Sequence, residues 1–185
     1  MTFPDASLAL ARRVLAACEA RGLRLATAES CTGGLIAACL TEIAGSSTVV
    51  DRGFVTYDNR AKEEMLGVPA DVLAGAGAVS EEAARAMAEG ALARAPVDVA
   101  VAVTGIAGPG GATPTKPVGL VHLAAAVRGG AMLHERRVFA GDRRAVRQAS
   151  LDAALELVLR ALGEPAQVAA GEPAMRWSIS RSGLP

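Results

Sequence analysis

A run of polar and reactive side chains, TAESCTGG, begins at residue 27 and ends in two glycines. An apolar segment precedes it and a helical pattern follows it, which indicates a strand passing into a helix. In open α/β sheets, ligands bind at the carboxyl ends of strands, where a helix N-terminus offers free backbone N–H groups. A serine there is a candidate nucleophile, and the N–H groups could bind a phosphate or a developing oxyanion. The candidates are Glu29, Ser30, Cys31, Thr32, Gly33 and Gly34.

Two other interpretations of this run stay open. Ser30 or Thr32 could serve only as the cap of the following helix. Cys31 is intrinsically the more reactive nucleophile, and residue types alone do not choose between it and Ser30.

A second segment, RGFVTYDNRAK, carries a tyrosine at the end of a predicted strand and a lysine one turn into the next helix. A serine needs a base to remove its proton, and no histidine lies near Ser30 in the sequence. Lys62 is the candidate base, provided that burial or nearby positive charge lowers its pKa. Tyr57 is a candidate for relaying a proton or donating to the substrate. The alternative is an exposed Lys62 that pairs with Asp58 on the helix surface.

A glycine-rich loop, TGIAGPGG, follows a predicted apolar strand, and a GDR motif opens the last helix. The backbone of such a loop can wrap around a ligand, which makes Thr104 and Gly105 candidate binding residues. The loop fits neither the P-loop nor the dinucleotide fingerprint, so turn formation explains it equally well. Asp142 is a candidate N-cap, and Arg143 or Arg144 could bind a phosphate or a carboxylate. Ser80, which Glu81 and Glu82 follow, is the predicted capping residue of an earlier helix.

The composition excludes several classes of function. The 185 residues are 51% apolar and 21% charged, and a net charge of zero gives no general attraction to nucleic acid or to an anionic membrane. Three cysteines without a CxxC pair indicate neither a disulfide framework nor a zinc site. His122 and His134 are a weak candidate for a metal pair, and we expect neither a metal nor a cofactor. Without a signal-peptide pattern or a membrane-spanning run, we expect a cytoplasmic protein.

The hydrophobic pattern predicts helices over residues 7–21, 32–44, 59–66, 80–95 and 142–162, and strands over residues 23–28, 48–57, 98–104, 118–127 and 131–139. The apolar run over 98–104 indicates a central strand that is buried on both faces. Arg128-Gly129-Gly130 predicts a hairpin between the last two strands. This order predicts an α/β protein, a single three-layer α/β/α domain whose mixed, mostly parallel sheet is flanked by helices. We expect the domain over residues 1–162 and a tail over residues 163–185, in which Trp177 packs on this chain or on a neighbour.

Several motifs that occur in a fixed order identify a family more specifically than any one of them alone. They are TAESCTGG, RGFVTYDNRAK, TGIAGPGG, KPVG and GDR. The chain closely resembles the CinA C-terminal domain family, whose free-standing members are nicotinamide-nucleotide amidohydrolases (PncC). The resemblance implies hydrolysis of the carboxamide of nicotinamide mononucleotide to nicotinate mononucleotide and ammonia, without a metal, by a homodimer. It does not imply the nucleotide-sugar phosphohydrolysis that is linked to the N-terminal domain of full-length CinA.

The resemblance also assigns roles to the reactive residues. Ser30 matches the family's serine, and Tyr57 and Lys62 match its tyrosine and lysine. Lys62 would take the proton from Ser30, which attacks the amide carbon while the N–H groups of residues 31–34 hold the oxyanion. Glu29 would orient Lys62 or the leaving ammonia, and Tyr57 would assist proton transfer.

The binding loops match the family at Thr104 and Arg143, which with Gly105 would hold the ribose phosphate or the amide. The chain departs from its relatives at residues 112–116, ATPTK, where they have small and acidic residues before the lysine. This difference bears on substrate preference rather than on the chemistry. The competing hypothesis is a nucleotide-binding or regulatory module without turnover. A dehydrogenase that uses Tyr57 and Lys62 is disfavoured, because no dinucleotide fingerprint precedes them.

Overall fold

The computed structural model describes residues 3–164 and contains helices and strands in alternation. The helices are α1 (Asp5–Glu19), α2 (Leu35–Thr41), α3 (Asn59–Ala61), α4 (Ala70–Gly75), α5 (Glu81–Arg94) and α6 (Arg143–Ala161). The strands are β1 (Leu25–Glu29), β2 (Val50–Val55), β3 (Val99–Gly105), β4 (Leu120–Val127) and β5 (Met132–Val138). A 3₁₀ turn covers Ser46–Thr48, and a π-helical turn over Lys62–Leu66 continues α3.

The five strands form one mixed sheet in the order β2-β1-β3-β4-β5. Strand β1 runs parallel to both β2 and β3, whereas β4 is antiparallel to β3 and to β5. Strand β4 is therefore reversed relative to the other four, and β4 and β5 form the predicted hairpin. The predicted mixed sheet with flanking helices is confirmed.

Helices cover both faces of the sheet, and alternate residues of β3 show how. Val99, Val101 and Val103 pack in one cluster with residues of α1, α2 and α6. Ala100 and Ala102 pack in the other cluster, with residues of α5. Because the side chains of a strand alternate between the faces of the sheet, burial of both sets places β3 inside a three-layer domain.

Helix starts follow the predicted capping residues in two cases and depart from the prediction in one. The Ser80 hydroxyl accepts from the N–H of Ala83 at 3.1 Å, and the Asp142 carboxylate accepts from the N–H of Ala145 at 2.8 Å. The helix predicted from residue 32 instead begins at Leu35. Gly33 and Gly34 have φ of 61° and 93°, a left-handed conformation that delays the helix and that glycine adopts without strain.

Among residues 3–164, no helix combines the length and the apolar character needed to cross a membrane. The predicted packing of Trp177 falls outside the described residues, as does nearly all of the predicted tail.

Candidate active site

The predicted site residues meet at the carboxyl ends of β1, β2 and β3. These strands are parallel, so their carboxyl ends lie at one edge of the sheet, where α/β proteins bind ligands. A cavity of about 270 Å³ opens at this edge. Predicted residues in its wall are Ser30, Cys31, Tyr57, Lys62, Thr104, Gly105 and Arg143, whereas Glu29, Thr32, Gly33 and Gly34 are not part of the wall.

The Lys62 amine contacts the Ser30 hydroxyl inside the protein. Nζ of Lys62 lies 3.1 Å from Oγ of Ser30, and the lysine side chain is only 1% exposed. Nζ also donates to the carbonyl oxygens of Thr56 at 2.8 Å and of Tyr57 at 3.4 Å. A neutral amine has two N–H donors and one lone pair, so two carbonyl acceptors leave the lone pair for the Ser30 O–H. The arrangement suits proton transfer from serine to lysine.

The chain directs Lys62 inward through a short, irregular helix. The carboxylate of Asp58 caps α3 by accepting from the N–H of Arg60 at 2.9 Å, and Lys62 begins the π-helical turn that follows. This turn packs against α5 at Gly90, where an added Cβ would lie 2.1 Å from the carbonyl oxygen of Leu66. Burial lowers the pKa of Lys62, and the nearby Asp58 opposes that shift. The alternative of an exposed lysine on the helix surface is therefore wrong.

Backbone hydrogen bonds in the turn after β1 reduce the number of predicted N–H groups that are available to an oxyanion. The N–H of Ser30 donates to the carbonyl oxygen of Val103 at 2.9 Å, and that of Gly33 donates to the carbonyl oxygen of Ser30 at 3.0 Å. The N–H of Gly34 donates to Glu29 at 3.0 Å. Within residues 3–164, the N–H groups of Cys31 and Thr32 form no hydrogen bond to another residue. Cys31 lines the cavity, so its N–H is the best-placed donor to an oxyanion.

The Glu29 carboxylate bonds the start of a helix and makes no hydrogen bond to Lys62. Its carboxylate is fully buried and accepts from the hydroxyl of Thr27 at 3.0 Å. It also accepts from the N–H groups of Gly34, Ile36 and Ala37 at 3.0, 3.1 and 2.9 Å. These groups open α2, whose positive end favours a carboxylate. Glu29 thus caps α2 rather than orienting Lys62, and no hydroxyl of Ser30 or Thr32 serves as the cap.

We predict that Glu29→Gln lowers the free energy of unfolding by about 2–4 kcal/mol. The glutamine NH₂ cannot accept, so it would face backbone donors that stay buried and unpaired. Chemical denaturation measures the change. Glu42→Gln is the matched control, since Glu42 is exposed just after the other end of α2 and its loss should cost no more than about 0.5 kcal/mol. Equal effects from the two substitutions would contradict the capping role.

Cys31 lies beside Ser30, and among residues 3–164 no hydrogen bond joins its thiol to a basic side chain. Burial raises the pKa of the Cys31 thiol to about 11. The thiol is therefore protonated at neutral pH, and it is the thiolate that acts as a nucleophile.

Tyr57 and Arg143 form the outer wall of the cavity. The Tyr57 side chain is 60% exposed, and its hydroxyl oxygen accepts from Nη2 of Arg143 at 2.9 Å. Nη1 of Arg143 donates to the carbonyl oxygen of Gly108 at 2.8 Å, which joins α6 to the glycine-rich loop. The Tyr57 hydroxyl thus contacts Arg143 rather than the Ser30–Lys62 pair predicted for proton transfer; only the Tyr57 carbonyl reaches Lys62.

Thr104 and Gly105 shape the inner end of the cavity. The Thr104 hydroxyl donates to the carbonyl oxygen of Ala78 at 2.6 Å, which leaves its oxygen free to accept but not to donate. An added Cβ on Gly105 would lie 2.7 Å from the carbonyl oxygen of Leu120, so only glycine allows β3 and β4 to approach here.

Sequence reasoning missed Arg147. Its side chain is half-buried, and it donates from Nε to the carbonyl oxygen of Cys31 at 3.1 Å and from Nη2 to that of Thr32 at 2.7 Å. The available signal was its position one helical turn after Arg143, which places both arginines on the same side of α6.

The two histidines pair with each other and do not line the cavity that contains Ser30 and Lys62. Nδ1 of His122 lies 3.0 Å from Nε2 of His134, and the other ring nitrogen of His134 lies 3.3 Å from a carboxylate oxygen of Glu81. Burial lowers the pKa of His122 to about 4, which keeps its ring neutral at physiological pH. His122 lines a second cavity, of about 340 Å³.

Comparison with known proteins gives matches over most of the chain. A family model for the CinA C-terminal domain matches residues 7–162. A CinA-like protein of Akkermansia muciniphila is 54% identical over 143 residues, 77% of this chain and 34% of that protein. A CinA-like protein of Anaeromyxobacter dehalogenans is 53% identical over 149 residues, 80% of this chain and 36% of that protein. The chain spans about a third of the length of these curated relatives.

Solved structures share the fold at high sequence identity. The competence/damage inducible protein CihA from Agrobacterium tumefaciens superposes with a TM-score of 0.85 at 55% identity, over 89% of this chain and 99% of that one. The competence damage-inducible protein A (ComA) from Klebsiella pneumoniae gives a TM-score of 0.81 at 41% identity, over 85% of this chain and 97% of that one. These names specify no reaction.

Proposed function

The chain belongs to the CinA C-terminal domain family, and we propose that it is an amidohydrolase that cleaves the carboxamide of nicotinamide mononucleotide. The observation that carries the proposal is the 3.1 Å contact between Oγ of Ser30 and Nζ of the buried Lys62. A serine paired with a base of lowered pKa, in a cavity beside a backbone N–H that bonds no other described residue, is the arrangement that acyl transfer requires. The homodimer and the cytoplasmic location stay predictions.

In the first half of the reaction, Ser30 forms the acyl-enzyme. Lys62 accepts the hydroxyl proton as Oγ bonds to the amide carbon, and the developing oxyanion accepts a hydrogen bond from the N–H of Cys31. The tetrahedral intermediate then breaks its C–N bond. Lys62 returns the proton to the leaving nitrogen, so ammonia departs and nicotinate mononucleotide stays esterified to Ser30.

In the second half, water replaces ammonia. Lys62 is neutral again and takes a proton from a water molecule, whose oxygen attacks the ester carbon. The ester bond to Ser30 breaks, and the proton on Lys62 restores the serine hydroxyl. Nicotinate mononucleotide is released, and the enzyme returns to its starting state.

We expect the purified protein to release one ammonia for each nicotinate mononucleotide formed from nicotinamide mononucleotide. Coupled ammonia detection and chromatography of the nucleotides measure both products. Nicotinamide riboside, which lacks the phosphate, is the control substrate and should react more slowly. Tight binding of nicotinamide mononucleotide without ammonia would instead support the regulatory module that carries no reaction.

Arg143 is the candidate phosphate ligand, because it presents a guanidinium on the cavity wall beside the glycine-rich loop. We predict that Arg143→Met raises the KM for nicotinamide mononucleotide about 10- to 100-fold with a smaller change in kcat, the pattern for binding energy shared by the ground and transition states. Arg144→Met is the matched control, because Arg144 is exposed and does not line the cavity. Steady-state kinetics on both variants test the assignment, which fails if the two KM values agree.

A further inference from the structure

Arg147 holds the turn that carries the proposed nucleophile. Its guanidinium donates to two consecutive carbonyl oxygens, those of Cys31 and Thr32. Within residues 3–164 it forms no ion pair with a carboxylate. The side chain of an arginine on α6 is thus used mainly to bind the backbone of a turn 115 residues away in the sequence.

The direction of each N–H in this turn follows from the carbonyl on the same peptide bond. In a trans peptide, the C=O and the N–H point to opposite sides. The carbonyl of Thr32 and the N–H of Gly33 belong to one peptide bond, and Arg147 holds that carbonyl. The N–H of Gly33 therefore points the other way and donates to the carbonyl oxygen of Ser30 at 3.0 Å. That bond fixes the peptide between Ser30 and Cys31 and leaves the N–H of Cys31 on the opposite side, where it bonds no other residue among residues 3–164.

Gly33 makes this chain of contacts possible. Its φ of 61° turns the backbone back towards Ser30, and an added Cβ would lie 3.6 Å from Nη2 of Arg147. The charge of Arg147 also acts on the side chain of Cys31: burial raises the pKa of the Cys31 thiol, and Arg147 opposes that rise.

We propose that Arg147 is a positioning residue. By binding the carbonyl groups of Cys31 and Thr32, it orients the N–H of Cys31 so that this N–H can donate to the oxyanion. The inference rests on the acyl-transfer chemistry proposed at Ser30. Arg147 touches neither the substrate nor the reacting atoms; it acts through the backbone. A planar guanidinium can donate to two adjacent carbonyls at once, which a lysine ammonium does with less geometric control.

The test compares Arg147→Met and Arg147→Lys with the wild type and with Arg12→Met. Arg12 is an exposed arginine on α1 and controls for loss of a guanidinium from the surface. Two rates are measured: kcat for nicotinamide mononucleotide, and labelling of Ser30 by a small sulfonyl fluoride, followed by mass spectrometry. Labelling joins the serine oxygen to sulfur and expels fluoride, so it reports on the nucleophile and its oxyanion donor without the natural substrate.

We expect Arg147→Met to lower both rates about 10- to 100-fold while KM stays within about threefold, because the donor is misdirected rather than removed. Arg147→Lys should recover part of each rate, and Arg12→Met should match the wild type. Rates per folded molecule that stay within about threefold of the wild type would overturn the inference and leave Arg147 a purely structural residue. A raised KM with normal labelling would overturn it too, since Arg147 would then bind substrate.

The two proposals fail separately. If the wild type labels at Ser30 and Arg147→Met labels slowly, but neither releases ammonia, the positioning role holds and the proposed substrate is wrong. If the wild type releases ammonia and Arg147→Met does so at the same rate, the amidohydrolase holds and the positioning role is wrong.

Discussion

Ser30→Ala is expected to reduce ammonia release from nicotinamide mononucleotide by roughly 10³-fold or more, because it removes the hydroxyl that contacts the buried amine. The substitution deletes one oxygen atom from the cavity wall, so the fold and the binding of the nucleotide should be retained. Steady-state kinetics measures ammonia release, and calorimetric titration with nicotinamide mononucleotide measures binding, both on the same preparation.

Thr41→Ala provides the matched control, since Thr41 is exposed and its hydroxyl donates only to the carbonyl oxygens of Ala37 and Ala38 in its own helix. Mass spectrometry of acid-quenched wild-type enzyme with a slow substrate should locate a nicotinoyl ester on Ser30. An adduct on Cys31, or full activity in Ser30→Ala, would remove the proposed nucleophile.

Lys62→Met is expected to lower kcat about 10²- to 10⁴-fold, the usual contribution of a positioned general base. Methionine has an unbranched chain that follows the same buried path without a charge to desolvate. Circular dichroism should therefore show a folded variant. A kcat near that of the wild type would mean that the contact between Nζ and Oγ has no part in the reaction.

Lys62→Met also tests the pH dependence of kcat/KM. Only the neutral amine can accept a proton, so kcat/KM should fall as pH falls through the Lys62 pKa, which burial has lowered from the ordinary lysine value. Lys116→Met removes the chain's other lysine and should keep the wild-type profile. An acid limb that persists in Lys62→Met would assign it to another group.

The free energy of unfolding should also depend on the protonation of Lys62. Between the lowered pKa of Lys62 in the folded state and its ordinary value in the unfolded state, the unfolded chain binds the extra proton. The contribution of Lys62 to the free energy of unfolding should therefore rise with pH across that window, so the slope against pH should be more positive in the wild type than in Lys62→Met. The buried thiols of Cys18, Cys31 and Cys39, whose pKa values burial raises, give a slope of opposite sign in alkaline solution, and that slope is present in both proteins.

The sequence alone determined the elements and the reactive segments. The apolar run of β3, the capping residues Ser80 and Asp142, and the hairpin are local patterns, and the structure shows them where they were predicted. The motifs likewise identified the family, because they record residue types in a fixed order. None of these inferences needed to know which segments meet in space.

Only the tertiary structure decided how the groups are used. Lys62 and Ser30 are separated by 32 residues, and their contact exists because parallel β1 and β2 end at one edge of the sheet. Gly33 and Gly34 adopt the left-handed conformation, and the carboxylate of Glu29 accepts hydrogen bonds from four donors. It therefore caps α2 and does not contact Lys62. The bonds from Arg147 cross 115 and 116 residues. Periodicity and motifs report on neighbours along the chain, whereas the partner of a buried charge or a free N–H is set by packing between distant segments.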